Sequence, residues 1–221
     1  MLGAALIAIW AGFKLDSILG SRSDLQQFAA AKQARQAATP VPLPAAARTA
    51  EIADEAQPAM LVEPTEFDYS LWAAGRIREY EESLQEEIGA PQAIFRIPEL
   101  ALEVAVLEGT SDLVLNRGVG RIEGTARIGE IGNLGIAGHR DGFFRGLKDI
   151  ETGDTMELET LAGTQTYEID KISIVQPEEV WVLAPSEESR ITLVTCYPFY
   201  FVGKAPLRYI VHAKEIARRS D

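Results

Sequence analysis

One cysteine, Cys196, and two histidines, His139 and His212, are all that 221 residues provide of either type. A single thiol excludes an internal disulfide and leaves no cysteine-built zinc site to complete. The loop acids show no EF-hand spacing, and neither a metal nor a cofactor is expected. Basic charge is scarce as well: 21 Lys and Arg stand against 33 Asp and Glu, a formal net charge of −12. Phosphate backbones require clustered positive charge, so nucleic acid is excluded as the main partner. There is no internal repeat, and no apolar run after residue 20 is long enough to span a bilayer.

What is present divides the chain. Met1 to Phe13 is an unbroken run of apolar residues and Gly, followed at once by Lys14, Leu15 and Asp16. Thirteen helical residues cover about 20 Å, less than the roughly 20 residues a bilayer core demands. Two readings stand: a membrane anchor whose beginning lies upstream, or a short interfacial or packed helix. No small-residue cleavage site follows, so an uncleaved tether fits better than a removed signal peptide. Residues 1–28 are therefore read as an apolar anchor segment. Residues 29–66 are rich in Ala and Pro and lack a sustained period, which reads as a flexible, partly extended linker. The folded domain is expected over 67–216, with a tail at 217–221. It begins with an amphipathic helix over 71–89, in which Ala73, Ile77, Tyr80, Leu84 and Ile88 recur at three- and four-residue steps.

After Pro91 the pattern turns to short alternating or apolar stretches bounded by Gly, Asn, Asp and Pro. Strands are predicted at 93–97, 102–107, 133–137, 155–159, 165–175, 190–195 and 207–213, with smaller pieces near Ile122 and Val180. Seven or eight strands on one core predict a mainly β fold, a closed or nearly closed barrel with a few short helices.

The chemistry gathers at strand ends. Arg190 to Tyr200 reads RITLVTCYPFY, an apolar strand that stops at Thr195, Cys196 and Tyr197 before Pro198. Proline cannot continue a central ladder, so the thiol belongs at the mouth of the barrel. A lone cysteine is often an inert buried residue. A reactive one needs a proton acceptor or positive charge close by, because the thiolate is the attacking form. His139 lies in GIAGHRDGFF, a glycine-punctuated loop leaving a strand, and is the catalytic candidate. His212 lies in the plain alternation LRYIVHA and reads as a strand-surface residue. In the same strand Leu207, Tyr209 and Val211 share one face, and Arg208, Ile210 and His212 the other. Arg208, twelve residues after the thiol, is placed to face Cys196 from the neighbouring strand. Asp141 and Asp149 read as turn or cap residues, and the apolar stretch Phe199 to Val202 as either groove wall or packing.

TLVTC at 192–196, preceded by GIAGHRDGFFRGLKDI and followed by YPFYFVGKAPLRYIV, resembles the signature of the sortases, most of all class D. With RIPEL and LNRGVGRIEGTA the similarity covers residues 70–214. The resemblance implies a sortase-like barrel in which 67–216 is the catalytic domain. It makes Cys196 the nucleophile of a cysteine transpeptidase, His139 the acid and base, and Arg208 the oxyanion stabiliser. It further implies cleavage of an LPxTG-like sorting signal between Thr and Gly through a thioester, and acyl transfer to an amine on a cell-wall precursor or a protein lysine. The enzyme is expected at the cell membrane on a single N-terminal anchor with its catalytic domain extracytoplasmic. Unperturbed pKa values of about 8.5 and 6.5 leave on the order of 1% of a Cys/His pair in the reactive form at pH 7.5, so turnover should be slow. Two rivals are weighed: a membrane-tethered non-catalytic β scaffold, and an L,D-transpeptidase-like acyltransferase. The second needs a histidine within a few residues before the thiol, and the nearest lies fifty-seven residues upstream.

Overall fold

The computed structural model describes residues 23–37, 72–200 and 203–220. The apolar run Met1–Phe13 and the Pro-rich part of the expected linker lie outside the described residues. Eight strands close a barrel in the order β1-β2-β3-β4-β7-β8-β6-β5, with β5 pairing back onto β1. They are β1 (Ala93–Ile97), β2 (Leu102–Glu108), β3 (Val119–Arg121), β4 (Asn133–Ala137), β5 (Thr155–Thr160), β6 (Gly163–Val175), β7 (Arg190–Tyr197) and β8 (Leu207–Ser220). Alternation fills the interior: Phe95 and Ile97, Val104 and Val106, Leu134 and Ile136, Ile191 and Leu193, and Val211 and Ala213 all belong to one core cluster.

Five expectations need correction. The residues near Val180 form a 3-10 turn, Val180–Leu183, and not a strand. A short apolar run bounded by turn residues has no period with which to distinguish the two. The expected tail is part of β8, which pairs Ala217–Ser220 with Gly163–Thr166 of β6. Ladder hydrogen bonds to β6 hold this charged, exposed stretch, so no apolar pattern betrays it. The end of the expected anchor segment and the first residues of the expected linker are helical: 23–37 form α1, which packs Phe28, flanked by Leu25, on Ile94 and Ala105 of the outer barrel wall. This explains why β1 and β2 are apolar on both faces. Among the described residues no helix is long and apolar enough to cross a membrane.

The amphipathic helix is shorter than expected, α2 (Ala74–Ser83). Its last carbonyls accept from the amides of Leu84, Gln85 and Glu86, and Arg117 of α3 (Asp112–Arg117) adds a second donor to Ser83 O at 2.9 Å. The same guanidinium grips Asp24 of α1 with two bonds at 2.7 and 3.0 Å, joining the three helices at one buried pair.

His212 is not a surface residue. It is buried at 8% exposure on the outer face of β8, beneath the Val180–Leu183 turn, where Val175, Val182 and Ile210 form a second apolar cluster. A hydrogen-bonded relay holds it. Asn133 donates to the carbonyls of Val182 and Ala184, and its own carbonyl accepts from Thr192 Oγ1 at 2.7 Å. That commits the hydroxyl proton, so His212 Nδ1–H donates to Thr192 at 3.0 Å. Thr192 is fully buried, and Thr192→Val would orphan both partners at nearly constant shape. The expected cost is about 1–3 kcal/mol in urea unfolding; an unchanged midpoint would show that the relay does not hold the turn.

Candidate active site

Two registers assemble the site. Antiparallel pairing of β7 with β8 sets Cys196 directly opposite Arg208, Val194 opposite Ile210 and Thr192 opposite His212, all on the outer face. Parallel pairing of β4 with β7 sets Ala137 beside Val194. The chain stays on β7 after the ladder ends: Gly138 N–H donates to Val194 O at 3.2 Å, and Thr195 Oγ1 donates to Gly138 O at 2.7 Å. Alternation carried one residue further brings His139 level with Cys196 on that outer face. Gly138 has to be glycine, because a β-carbon there would lie 2.6 Å from the Phe144 ring. The three sequence-predicted residues therefore lie at the adjoining ends of three neighbouring strands, each of them half-buried.

The groups differ in how they are satisfied. His139 Nε2 is buried and has no hydrogen-bond partner among the described residues. Burial pushes the imidazole pKa below its ordinary value and the Arg76 cation adds to this, while Asp141, Asp112 and Glu79 oppose it. His139 is thus held in its neutral form, able to accept a proton. Arg208 donates only to backbone carbonyls, Leu207 O at 3.0 Å and Ala205 O at 3.4 Å, and has no carboxylate partner among the described residues. A half-buried guanidinium left with unused donors suits an incoming oxygen.

One side of this patch is walled by the Val180–Leu183 turn, with Leu183 reaching over Gly135 of β4. A β-carbon on Gly135 would meet Leu183 at 2.9 Å, so glycine lets the wall sit down on the sheet. The stretch after Cys196 is fixed by two arginines from the His139 loop, residues that sequence reasoning left without a role. Arg140 donates to Pro198 O at 3.1 Å and Gly203 O at 3.0 Å, and Arg145 donates to Phe199 O at 2.7 Å. The Arg145 guanidinium also lies over the Tyr200 ring, 4.1 Å from its centroid. Phe199 packs inward against Tyr197 and Tyr209, whereas Tyr200 is 69% exposed. Asp141 pairs with Arg76 and Asp149 with Lys148. Among the described residues no group of three His, Cys, Asp or Glu side chains is placed to hold a metal ion.

The model of the Sortase domain family matches residues 95–216, more than half of the chain. This chain belongs to the sortase family. It is 36% identical over 135 residues to Sortase D of Bacillus subtilis (strain 168), covering 61% of this chain and 68% of that protein. Among solved structures it resembles a Clostridium perfringens Sortase D5 transpeptidase, at 33% identity and a TM-score of 0.54 over 63% of this chain and 88% of the other. A SrtA sortase from Actinomyces oris aligns with a TM-score of 0.55 at 28% identity, covering 62% of this chain and 85% of that one. The barrel is the sortase fold, and the protein is a sortase, a cysteine transpeptidase of the cell envelope that acts on a sorting-signal peptide and an amine acceptor. The scaffold and L,D-transpeptidase rivals have no further support.

Proposed function

We propose that this sortase cuts an LPxTG-like signal between Thr and Gly with Cys196 as nucleophile, His139 as acid and base, and Arg208 as the oxyanion donor. The observation that carries the assignment is the double register: Cys196 lies opposite an arginine that, among the described residues, has no carboxylate partner, and level with a neutral imidazole that has no hydrogen-bond partner among them. His139 takes the Sγ proton, and the thiolate adds to the Thr carbonyl carbon. Negative charge gathers on the carbonyl oxygen, toward which Arg208 supplies N–H donors. Collapse breaks the C–N bond, and the Gly amine leaves with the proton that His139 held, while the acyl group remains as a Cys196 thioester. An acceptor amine then attacks the thioester and gives its proton to His139. The new amide departs, and His139 returns a proton to the sulfur. The apolar run Met1–Phe13 serves in this reading as the tether that keeps the catalytic domain at the outer membrane surface, beside its anchored substrates.

The test is ligation. The protein is incubated with a library of LPxTG-variant peptides and triglycine, and the new amide is sought by mass; failure of every signal to be cut would remove the substrate assignment. Arg208→Met is expected to lower kcat/KM by about 10²–10³, as the loss of one oxyanion donor commonly does. Arg208→Lys should recover only part of this, because a point charge replaces a planar fork. A change within twofold for Arg208→Met would place the guanidinium outside the mechanism.

A further inference from the structure

The turn that begins at His139 is braced from outside the barrel. Trp72, just before α2, and Tyr80, within it, pack edge-on against Phe143 with ring centroids 4.8 and 6.1 Å away. Between them Arg76 points into the same contact, its side chain only 13% exposed. Its Nε donates to Asp141 Oδ1 at 3.1 Å, and its Nη1 donates to Glu79 Oε2 at 2.7 Å and to Asn116 Oδ1. The Arg76 stem also lies against Gly142: a β-carbon there would be 3.6 Å from Arg76 Cγ and Cδ and equally far from His139 Cβ. Gly142 N–H and Phe144 N–H both donate to His139 O, at 3.2 and 3.3 Å, so these contacts act on the backbone that carries the imidazole.

We propose that Arg76 and Asp141 are positioning residues for His139, an ion pair that ties the His139–Gly142 turn to α2 and sets opposed charges beside the imidazole. The proposal rests on His139 being the proton-transfer group. The stem and the Nε bond fix the turn mechanically, while Asn116 on α3 and Glu79 on α2 fix the guanidinium. Electrostatically the pair divides the work. Arg76 disfavours the imidazolium in the resting enzyme, which keeps the ring free to take the thiol proton; Asp141 offsets part of that cost once the proton has moved. The other charges around the ring are Glu79 on α2 and Asp112 on α3, which act in the same direction as Asp141. Arg140, in the same turn, is committed to the carbonyls of Pro198 and Gly203, and Cys196 and Arg208 complete the surroundings from β7 and β8.

The experiment uses the intact enzyme, whose two histidines give two imidazole signals to follow by NMR through a pH titration. In Arg76→Met the His139 midpoint is expected to move to higher pH, and in Asp141→Asn to lower pH, with His212 unmoved in both as the internal standard of an intact fold. The acid limb of kcat/KM should follow in the same directions, with a loss of roughly 10- to 100-fold at the optimum in Arg76→Met from misplacement of the ring. Arg76→Lys, which keeps the charge, should return the limb toward its original position. A merely structural role would lower the rate in both variants without opposite shifts, and that result overturns the proposal, as does an unmoved His139 midpoint. If Arg76→Met fails to fold, Asp141→Asn decides alone, since that side chain is 35% exposed. Opposite NMR shifts with a rate limb that stays in place would count against His139 as the catalytic base and leave the positioning contacts standing.

Discussion

Cys196→Ala is expected to leave the enzyme without measurable peptide cleavage, a loss of at least about 10⁴-fold in kcat/KM. The reason is chemical: splitting one amide exchange into two acyl transfers depends on a covalent thioester, and no other thiol exists in the chain to form it. Cys196→Ser should be nearly as inactive, because a hydroxyl ionises far less readily than a thiol. Both variants should fold normally. Cys196 is half-buried on the outer face of β7, outside the main core cluster that Ile191 and Leu193 help to build. Urea midpoints close to that of the parent protein, with activity gone, are therefore expected. Appreciable turnover by Cys196→Ala would remove the nucleophile from the scheme.

His139→Ala comes next in size, with an expected loss of about 10²–10⁴ in kcat/KM, the usual span for a general acid and base. Its pH signature is more specific than its size. In the parent enzyme the acid limb of the kcat/KM profile should be visible and set by the imidazole. Burial first, and then the Arg76 cation, lower the imidazole pKa. Proton uptake that quenches the base therefore begins below the ordinary histidine value of about 6.5, and the acid limb should lie on that side of it. His139→Ala should flatten the limb as well as lower the curve. The same shift sets a sign for stability. The unfolded chain takes up this proton at higher pH than the folded one, so the contribution of neutral His139 is complete above about 6.5 and is lost as pH falls through the folded value. A variant with unchanged rate would exclude His139 from proton transfer.

Much of the site was legible because it follows strand parity. The alternation of LRYIVHA put Arg208 on the face opposite Val211, and pairing with β7 makes that the face of Cys196. A thiol at a strand end before Pro198 and a histidine just past β4 were enough to bring both to the same end of the barrel. The barrel itself was legible from runs of period two between turn residues.

The remainder depended on partners far along the chain. Ile94 and Ala105 gave β1 and β2 an apolar outer face that no local pattern explains until α1 covers it. Ala and Gln favour helix, yet composition alone read residues 29–37 as linker, because their packing partners lie in the barrel. His212 looked like a surface residue since nothing in LRYIVHA announces the Val180–Leu183 turn lying over it. Arg76 stands beside the apolar stripe of Ile77 and Tyr80, and the helical period offers it no buried partner. Only the fold supplies Asp141, sixty-five residues later, as its partner.

The central claim is that acyl transfer passes through the Cys196 sulfur, and intact-protein mass spectrometry of enzyme quenched during turnover of a cleaved sorting peptide tests it most directly. The expected result is an adduct equal in mass to the acyl fragment ending at Thr, located on Cys196 and released by hydroxylamine as the hydroxamate. Turnover with the adduct on another residue, or with none at all under conditions that trap thioesters, would contradict it.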